Sequence, residues 1–377
     1  MEHDVSVSAA DFKKRLDEGS VRFIFDLRNE EDFSSWRIEG KGPIETINIP
    51  QFRFVGEVEK YLEAFPRDRQ ITVVCAHGDA SRYSAAELQG HGFDAVSLEG
   101  GMDAWSGFYE TAKISVHPEI YQIFRTARGC ISYLISSGGN AAVIDAARHL
   151  KPIMDLAASL GVKVTHVLDT HLHADHISGG RELAEIAGAA YHINPADVEG
   201  AAFGYLALTD GQEINIGKGG LMVIHSPGHT PGSTSFLLDG KFLFTGDTIM
   251  KEGIGRPDLG GMAEQWAAML HETLFTRIAA LPDETVVLPS HASSIREQDD
   301  SSIIKATLGE ARRGIELYRI RELKPFISHV MSTLPKNPES YQEIRQVNLG
   351  SAEADEAKKK ELEIGKNLCG MAKQQGS

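Results

Sequence analysis

The stretch LDTHLHADHISGG, residues 168–180, places His171, His173, Asp175 and His176 within six positions. The run VKVTHVLDTH leads into it and is rich in β-branched residues, so it predicts a strand that delivers these side chains at its C-terminal end. Imidazoles and carboxylates this close together lose solvation on burial, and a protein rarely keeps them unless they bind something. The stretch is therefore a candidate metal-binding loop.

Three other strand ends supply further candidate ligands. His229 lies in SPGHT, Asp247 in TGD and His291 in LPSH, and each follows an apolar run that predicts a strand. Strand ends that meet at one edge of a sheet can bring such side chains together. Imidazole and carboxylate ligands suit Zn, Fe or Mn rather than Ca or Cu(I). His225 is on an apolar run before His229, and we predict that it is a packed or surface residue.

The N-terminal region alternates strand-like and helix-like runs. VRFIFDLR (21–28) and ITVVCAHG (71–78) predict buried strands, and AVSLEGG (95–101) predicts a strand that enters a turn. SRYSAAELQGHG (81–92) predicts a helix that ends on glycine. Strands that alternate with helices predict an α/β domain with a parallel sheet.

A second pattern follows a stretch without strong periodicity at 106–118, where we place a boundary between domains 1–112 and 113–377. CISYLISSGGNAAVIDAA (130–147) predicts two strands around a hairpin turn. HLKPIMDLAASLG predicts a helix that ends on Gly161, and several short strands with glycine turns come after it. The last part of the chain is charged and predicts a helical extension.

The composition excludes several classes of function. Of the 377 residues, 42% are hydrophobic and 24% are charged, which is typical of a globular protein. The net charge of −15 disfavours nucleic acid, because phosphate binding needs clustered lysine and arginine. No apolar run suits a membrane span or a signal peptide. We therefore expect a cytoplasmic protein that binds neither nucleic acid nor membranes.

The cysteines are Cys75, Cys130 and Cys369. An odd and sparse set in a chain of this length does not make a disulfide framework, so we expect reduced thiols. Cys130, in GCISYL, is predicted to be a packed core residue.

The segment from about 119 to 300 resembles the metallo-β-lactamase superfamily, of which THLHADH is a signature. The resemblance implies an αββα sandwich with the metal between two sheets. TGDTIMKEGIGRPDLG (245–260) and LPKNPESYQEIRQVNLG (334–350) resemble the persulfide dioxygenases, also called sulfur dioxygenases. NLCGMA (367–372) is loosely similar to the C-terminus of that family.

The resemblance to persulfide dioxygenases implies one Fe(II) held by His171, His229 and Asp247. Such a triad leaves three coordination positions open, which oxygen chemistry requires. The implied net reaction is R-S-SH + O2 + H2O → R-SH + sulfite, with glutathione persulfide or a similar thiol persulfide as the substrate. Four nearby residues are then expected to act in catalysis through hydrogen bonds with the ligands or with bound oxygen species: His173, Asp175, His176 and His291.

The same residues fit an alternative, a dinuclear zinc thioester hydrolase that resembles glyoxalase II. In that enzyme Asp247 would bridge two ions that generate a hydroxide, so the ligands alone do not separate the two interpretations. The sequence SHASS after His291 lacks the aromatic residue that both families tend to carry. Arg256, in GIGRPD, is a candidate for binding a substrate carboxylate, with a structural salt bridge as the alternative. Many relatives are dimers, so a homodimer is one candidate assembly.

Residues 5–108 resemble the rhodanese domain through FIFDLRNEEDF, VVCAHGDASRYSAAEL and GFDAVSLEGGMDAW. In this resemblance Cys75 accepts a sulfane sulfur, because loop N–H groups and a helix N-terminus favour its thiolate. Asp26 and Arg28 occupy the positions of a pair that supports the loop.

The Cys75 loop departs from the usual rhodanese pattern CxxGxR. Position 80 is alanine, and Arg82 follows two residues later as a candidate anion-binding cation. The loop either transfers sulfur, to or from thiosulfate or sulfite, or senses reactive sulfur without catalysis. A sulfur carrier beside a persulfide-oxidising site would make one pathway of sulfide detoxification, and the sequence leaves the direction of transfer open.

Overall fold

The computed structural model describes residues 5–334, 340–365, 367 and 369–371. The chain divides into two compact units. The first unit consists of the residues up to Glu110 together with Arg125–Arg128 and Ser294–Arg296. The similarities predicted over 334–350 and 367–372 fall in part outside the described residues. No helix in the described ranges is long and apolar enough to cross a membrane.

The first unit is an α/β domain with a five-stranded sheet. Its elements are β1 (Ser6–Val7), α1 (Ala9–Asp17), β2 (Phe23–Asp26), α2 (Glu30–Ser35), β3 (Glu45–Asn48), α3 (Gln51–Phe54), β4 (Ile71–Val74), α4 (Asp79–Gly90), β5 (Ala95–Leu98) and α5 (Gly101–Ser106). The strand order is β1-β5-β4-β2-β3, and every neighbouring pair is parallel. The predicted parallel α/β packing is therefore confirmed.

The second unit contains two larger sheets and a short strand pair. The elements from Tyr109 onward are β6 (Tyr109–Val116), β7 (Glu119–Arg125), β8 (Cys130–Ser137), β9 (Asn140–Ile144), α6 (Lys151–Leu160), β10 (Lys163–Leu168), α7 (Gly180–Ala187), β11 (Ala190–Ile193), β12 (Leu206–Ala207), β13 (Glu213–Ile216), β14 (Gly219–His225), β15 (Thr234–Leu238), β16 (Phe242–Gly246), β17 (Ile254–Gly255), α8 (Ala263–Glu272), β18 (Val286–Pro289), β19 (Ala306–Thr307), α9 (Leu308–Gly314), α10 (Leu323–Thr333), α11 (Ser340–Asn348), α12 (Glu356–Leu362) and β20 (Gly370–Met371). One sheet has the order β12-β11-β10-β9-β8-β7-β6, the other has β13-β14-β15-β16-β18-β19, and β17 pairs with β20.

The main core of the second unit lies between its two large sheets. Alternation along the strands builds it, since Phe236 and Phe244 point into this core while Leu237 and Leu243 contact the helical layer on the other side. Helices α8 and α10 contribute to that layer, and α6 and α7 contact β10 of the opposite sheet. The αββα sandwich expected from the sequence is confirmed.

Individual elements follow the sequence closely, with one difference. The hairpin predicted at 130–147 is the antiparallel pair β8–β9, and α6 ends at Gly161 in a left-handed conformation, as predicted. The stretch 106–118, in which the sequence shows no strong periodicity, contains β6. The boundary predicted near residue 112 lies inside this strand, which is at the edge of its sheet and only partly buried, so its pattern of apolar residues is weak.

Candidate metal centre and sulfur-transfer loop

Strand β10 delivers the histidine loop, and Asp145 fixes the start of that loop. Asp145 follows β9 and accepts hydrogen bonds from the Thr170 backbone N–H (2.7 Å) and hydroxyl (2.9 Å), and from the Ser290 hydroxyl. Its backbone is left-handed, with φ of 50°, a strained conformation for a residue other than glycine. Asp145 was not among the residues predicted from the sequence, although the apolar strand that ends on this aspartate was a signal.

His171, His229 and Asp247 meet at one point, which we call the triad. Their donor atoms all lie within 4.8 Å of one another, and Asp247 Oδ2 is 3.8 Å from His171 Nε2 and 3.6 Å from His229 Nε2. All three side chains are buried, and these three atoms have no hydrogen-bond partner among the described residues. Donors bound to one ion at about 2.1 Å lie roughly 3–3.6 Å apart, so the triad fits a metal ion.

Each triad residue is oriented by a contact through its other side-chain nitrogen or oxygen. His171 Nδ1 is 2.9 Å from the Thr170 hydroxyl, and His229 Nδ1 donates to the Arg256 carbonyl oxygen at 2.8 Å. His291 Nδ1 donates to Asp247 Oδ1 at 2.6 Å, which leaves Oδ2 for a metal. Contacts of this kind fix the tautomer and direction of metal ligands. Burial lowers the pKa of His171 and of His229, so both rings are neutral and ready to coordinate.

His173 belongs to a different group of side chains. Its Nε2 lies 3.3 Å from Asp145 Oδ1, and together with Asp145 and Asp169 it forms a buried cluster separate from the triad. Burial raises the pKa of the Asp169 carboxyl, which also accepts hydrogen bonds from Tyr191 and Ser178. The four residues predicted to act beside the ligands are therefore divided between two places.

The other three, Asp175, His176 and His291, group with Cys130, and we call these four residues the thiol cluster. Asp175 Oδ2 is 3.2 Å from His176 Nδ1 and 3.0 Å from His291 Nε2. Burial opposes ionisation of the Cys130 thiol, but the charges of His176 and His291 outweigh it and lower its pKa to about 6. Burial likewise opposes the His176 charge, yet Asp175 and Cys130 raise the His176 pKa to about 10. Cys130 is buried, as predicted, but it is part of a polar site and not only of the core.

The C-terminal helices hold the histidine loop from outside. Asn348, at the end of α11, donates from Nδ2 to the carbonyl oxygens of His173 and His176, each at 2.9 Å. Glu363 accepts the backbone N–H of Ile177 at 2.9 Å and pairs with Arg148 at 2.8 Å. The segment QVNLG thus has a structural role next to the metal-binding loop.

We expect Asn348→Ala to destabilise the protein by about 1–3 kcal/mol, because it leaves two buried carbonyl groups without a donor. Thermal unfolding of the metal-loaded protein measures this effect as a lower Tm. Gln346→Ala, an exposed change on the same helix, is the matched control. It should change the free energy of unfolding by less than about 0.5 kcal/mol and so leave Tm nearly unchanged. Equal Tm values for the two variants would show that the hydrogen bonds from Asn348 to the histidine loop do not stabilise the protein.

The Arg256 side chain is buried and forms an ion pair within the protein. Its side chain is 0% exposed, and it forms a bidentate ion pair with Asp258 through Nε to Oδ1 (2.7 Å) and Nη2 to Oδ2 (2.8 Å). The salt bridge that the sequence offered as the alternative is present, and the guanidinium has no exposed surface with which to meet a substrate carboxylate. The structure therefore favours the structural role for this side chain.

Arg256→Ala should reduce the free energy of unfolding by about 3–5 kcal/mol, since it leaves the Asp258 carboxylate without its buried partner. The KM for a glutathione-based substrate should change less than twofold. Denaturant unfolding and steady-state kinetics measure the two effects, and Asp258→Asn tests the other half of the pair. A large rise in KM in Arg256→Ala but not in Asp258→Asn would restore the predicted role in substrate binding.

In the first unit, the loop between β4 and α4 surrounds the Cys75 sulfur. The backbone N–H groups of Gly78 and Ser81 point at Sγ, with N···S distances of 3.1 and 3.3 Å. Gly78 has φ of 96°, and a Cβ there would lie 2.6 Å from the backbone nitrogen of Gly100, so the close packing of the two turns requires glycine. Donors at the start of a helix stabilise a thiolate and the persulfide anion it can form.

The residues that depart from the rhodanese pattern lie in different surroundings around the Cys75 loop. Ala80, at the usual position of the arginine, is partly buried and packs against the apolar core. Arg82 is exposed on α4, and its role as an anion-binding cation stays a prediction. His77, which was not among the predicted site residues, lies in the loop with Nδ1 at 2.5 Å from Asp103 Oδ2. Asp26 and Arg28 form a buried ion pair of 2.7 Å, as predicted.

Comparisons with known proteins identify both units. The family model described as Metallo-beta-lactamase superfamily matches residues 125–291, and the model described as Rhodanese-like domain matches residues 8–107. The first match contains every residue of the triad and of the thiol cluster. The second contains Cys75 and its loop.

The similar curated proteins carry the names of two different enzymes. The chain is 36% identical over 157 residues to a hydroxyacylglutathione hydrolase of Fuscovulum blasticum, which is 41% of this chain and 59% of that protein. It is 32% identical over 175 residues to the mitochondrial persulfide dioxygenase ETHE1 of Homo sapiens, covering 45% and 66%. It thus spans less than two thirds of either relative. A hydroxyacylglutathione hydrolase of Gloeobacter violaceus is 30% identical over 223 residues, covering 57% and 86%.

A solved structure is similar to the second unit and bears the name of the second of these relatives. The crystal structure of ETHE1 from Myxococcus xanthus superposes with a TM-score of 0.54 at 28% identity, covering 62% of this chain and 98% of that one. Identity to dioxygenases and to hydrolases is similar, so the family is settled by these comparisons and the reaction is not.

Proposed function

We propose, from the premise that this chain belongs to the metallo-β-lactamase superfamily and carries a rhodanese-like domain, that it is an iron-dependent persulfide dioxygenase. Its substrate is a small thiol persulfide of the glutathione persulfide type, and its products are sulfite and the free thiol. Sulfur transfer through Cys75 serves the same pathway.

The position of His173 carries the proposal. A dinuclear hydrolase would use His173 as a further metal ligand, whereas here its Nε2 lies 3.3 Å from Asp145 and it groups with two aspartates. The remaining set is two histidines and one carboxylate, which is the ligand set of non-haem Fe(II) oxygenases. Asp247 supports the same interpretation, because its Oδ1 accepts from His291 and so is not available for a second ion.

Fe(II) bound at the triad would supply the reaction of O2 with the terminal sulfur of the persulfide. The protein contributes neutral imidazoles from His171 and His229 and one negative charge from Asp247. His291 holds the Asp247 carboxylate through Nδ1, so the ligand keeps one direction during turnover. The His173 ring stands beside His171, with ring centroids 4.3 Å apart.

The alternative is a zinc thioester hydrolase with glyoxalase II-like activity. The thiol cluster favours it, since Asp175, His176 and His291 are close enough together to hold a second ion. The curated hydrolase relatives are as similar to this chain as the dioxygenases are. We rank this function second because His173 lies outside the triad.

Metal content and O2 uptake decide between the two functions. We expect freshly purified full-length protein to contain iron at the triad and to consume one O2 for each glutathione persulfide, with sulfite formed. A chelator should abolish this activity, and Fe(II) but not Zn(II) should restore it. Zinc at the triad, no O2 uptake and hydrolysis of a glutathione thioester would overturn the proposal and establish the hydrolase.

The first unit is proposed to transfer sulfane sulfur between Cys75 and thiosulfate or sulfite. The loop N–H groups directed at Sγ support it. All three cysteines are free thiols in the structure, and we propose a reducing compartment, the cytoplasm, as the place of action.

A further inference from the structure

We infer that His77 and Asp103 form a general base beside Cys75, which takes the proton from a small thiol that accepts the sulfane sulfur. The inference rests on the sulfur transfer proposed for Cys75 and names its acceptor as a thiol of the glutathione type. The product of this transfer is a thiol persulfide, the substrate proposed for the triad. The functions proposed above give neither His77 nor Asp103 a role.

The backbone places His77 directly beside the sulfur. The Gly78 N–H, which points at Cys75 Sγ with an N···S distance of 3.1 Å, belongs to the peptide group that joins His77 to Gly78. The His77 side chain is 73% exposed, whereas Cys75 is buried, so the imidazole ring lies on the solvent side of the loop. An acceptor that reaches the sulfur from solvent approaches on the side where this ring lies.

Helix α5 fixes Asp103 against the Cys75 loop. The Met102 N–H donates to the Cys75 carbonyl oxygen at 2.9 Å. The Asp103 N–H donates to the Ala76 carbonyl oxygen at 3.0 Å. A Cβ at Gly101 would lie 2.3 Å from the Cys75 carbonyl oxygen, so this close contact requires glycine. Backbone contacts therefore hold the Asp103 carboxylate in place beside the imidazole ring.

The carboxylate sets the tautomer of the ring. His77 Nδ1 lies 2.5 Å from Asp103 Oδ2, and a carboxylate oxygen only accepts hydrogen bonds, so Nδ1 carries the proton. In the neutral ring Nε2 then keeps a lone pair with which it can accept a proton. A histidine that a carboxylate orients in this way is a common base for the activation of a nucleophile. The nucleophile here is the acceptor, because a thiol attacks sulfur as its thiolate and is mostly protonated at neutral pH.

The step that uses the base is Cys75–S–S⁻ + R–SH → Cys75–S⁻ + R–S–S⁻ + H⁺. Nε2 of His77 takes the proton of the acceptor thiol, and the resulting thiolate forms a bond to the outer sulfur. The bond between the two sulfur atoms on Cys75 breaks, and its electron pair stays on Cys75 as a thiolate. The N–H groups of Gly78 and Ser81 stabilise that thiolate. Sulfite attacks the same sulfur and has no thiol proton to lose, so the base is not needed for it.

Three acceptors offered to the full-length protein without O2 test the base, with thiosulfate as the sulfur donor. His77→Gln should transfer sulfur to glutathione at least about a hundredfold more slowly than the wild type, which is the usual contribution of a general base. With an aromatic thiol that is already ionised at neutral pH, the rate should change less than about threefold, because the thiolate needs no base. The exchange of isotopically labelled sulfite into thiosulfate, which measures the loading of Cys75, should also change less than about threefold.

Two further variants separate a base from a structural role. Asp103→Asn should slow transfer to glutathione as well, because the amide can donate to Nδ1 and so reverse the tautomer. The double variant His77→Gln with Asp103→Asn should be no slower than His77→Gln, since the two residues act as one unit. His91→Gln removes a histidine at the other end of α4, about 18 Å along the helix, and should behave as the wild type with every acceptor.

An equal loss with all three acceptors in His77→Gln would overturn the inference, because His77 would then only support the loop. A His77→Gln protein that transfers sulfur to glutathione like the wild type would overturn it too. If the wild type exchanges labelled sulfite but does not use glutathione, the inference fails and sulfur transfer through Cys75 stands. If it does neither, both are rejected. O2 uptake on added glutathione persulfide tests the triad independently of all these results.

Discussion

Replacing His171 by alanine is expected to remove iron from the triad and to reduce O2 uptake on glutathione persulfide by at least about a thousandfold. A metal ion supplies several kcal/mol of stabilisation to such a reaction, and each 1.36 kcal/mol is about a factor of ten in rate. Two donors, His229 and Asp247, remain, which is too few to hold the ion against solvent and chelators. Elemental analysis and an oxygen electrode measure the two effects on one preparation.

The control for this variant is His225→Ala. His225 is on β14, four residues before His229, and its Nε2 contacts the Pro231 carbonyl oxygen at 3.0 Å. His225→Ala should retain iron and activity. This result would show that the loss of one imidazole near the site is not sufficient to remove the metal or the activity. His171→Ala should also keep its far-ultraviolet circular dichroism. A His171→Ala protein that binds iron and oxidises persulfide like the wild type would contradict the triad.

The triad residues could be predicted because each follows an apolar strand. A polar side chain directly after a buried strand is displayed at a sheet edge, and the two sheets of the second unit place these edges together. The pattern therefore placed His171, His229 and Asp247 among the candidate ligands, and the resemblance to persulfide dioxygenases singled out these three. The structure brings their donor atoms within 4.8 Å of one another.

The partners of these residues could not be predicted in the same way. Cys130 begins a buried strand, as many core cysteines do, and only its bridge to His291, far away in the sequence, makes it part of a site. Asp145 resembles any aspartate in a turn until Thr170 and Ser290 are seen to donate to it. The division of His173 from the triad is also a matter of side-chain direction, which local sequence does not encode.

The sequence also did not show whether a charged side chain is buried or exposed. Arg256 in GIGRPD suits an exposed anion-binding loop as well as a buried pair, and its spacing of two residues from Asp258 is common to both. The fold decides, since β17 and β20 pair at this point and the Arg256 N–H donates to the Cys369 carbonyl oxygen at 2.9 Å. That contact comes from the far C-terminal end of the chain.

Replacing Cys75 by serine is expected to abolish sulfur transfer from thiosulfate to cyanide while O2 uptake on added glutathione persulfide stays within about twofold of the wild type. The transfer step is Cys75–S⁻ + S–SO3²⁻ → Cys75–S–S⁻ + SO3²⁻, in which the thiolate attacks the outer sulfur and sulfite leaves. A serine hydroxyl is not ionised at neutral pH and forms no persulfide, so no residual turnover is expected. The backbone N–H groups of Gly78 and Ser81, which point at Sγ, should donate to the serine oxygen instead.

Three results distinguish the roles open to the first unit. Loss of transfer with retained O2 uptake identifies Cys75 as the sulfur carrier, and Cys369→Ser, which should keep full transfer, excludes a general effect of removing a thiol. Transfer that survives in Cys75→Ser contradicts the assignment. If the wild type itself transfers no sulfur, and Cys75→Ser keeps basal oxidation but no longer responds to added polysulfide, the unit is a sensor. The loop geometry favours the carrier, because donors aimed at Sγ stabilise the persulfide anion as well as the thiolate.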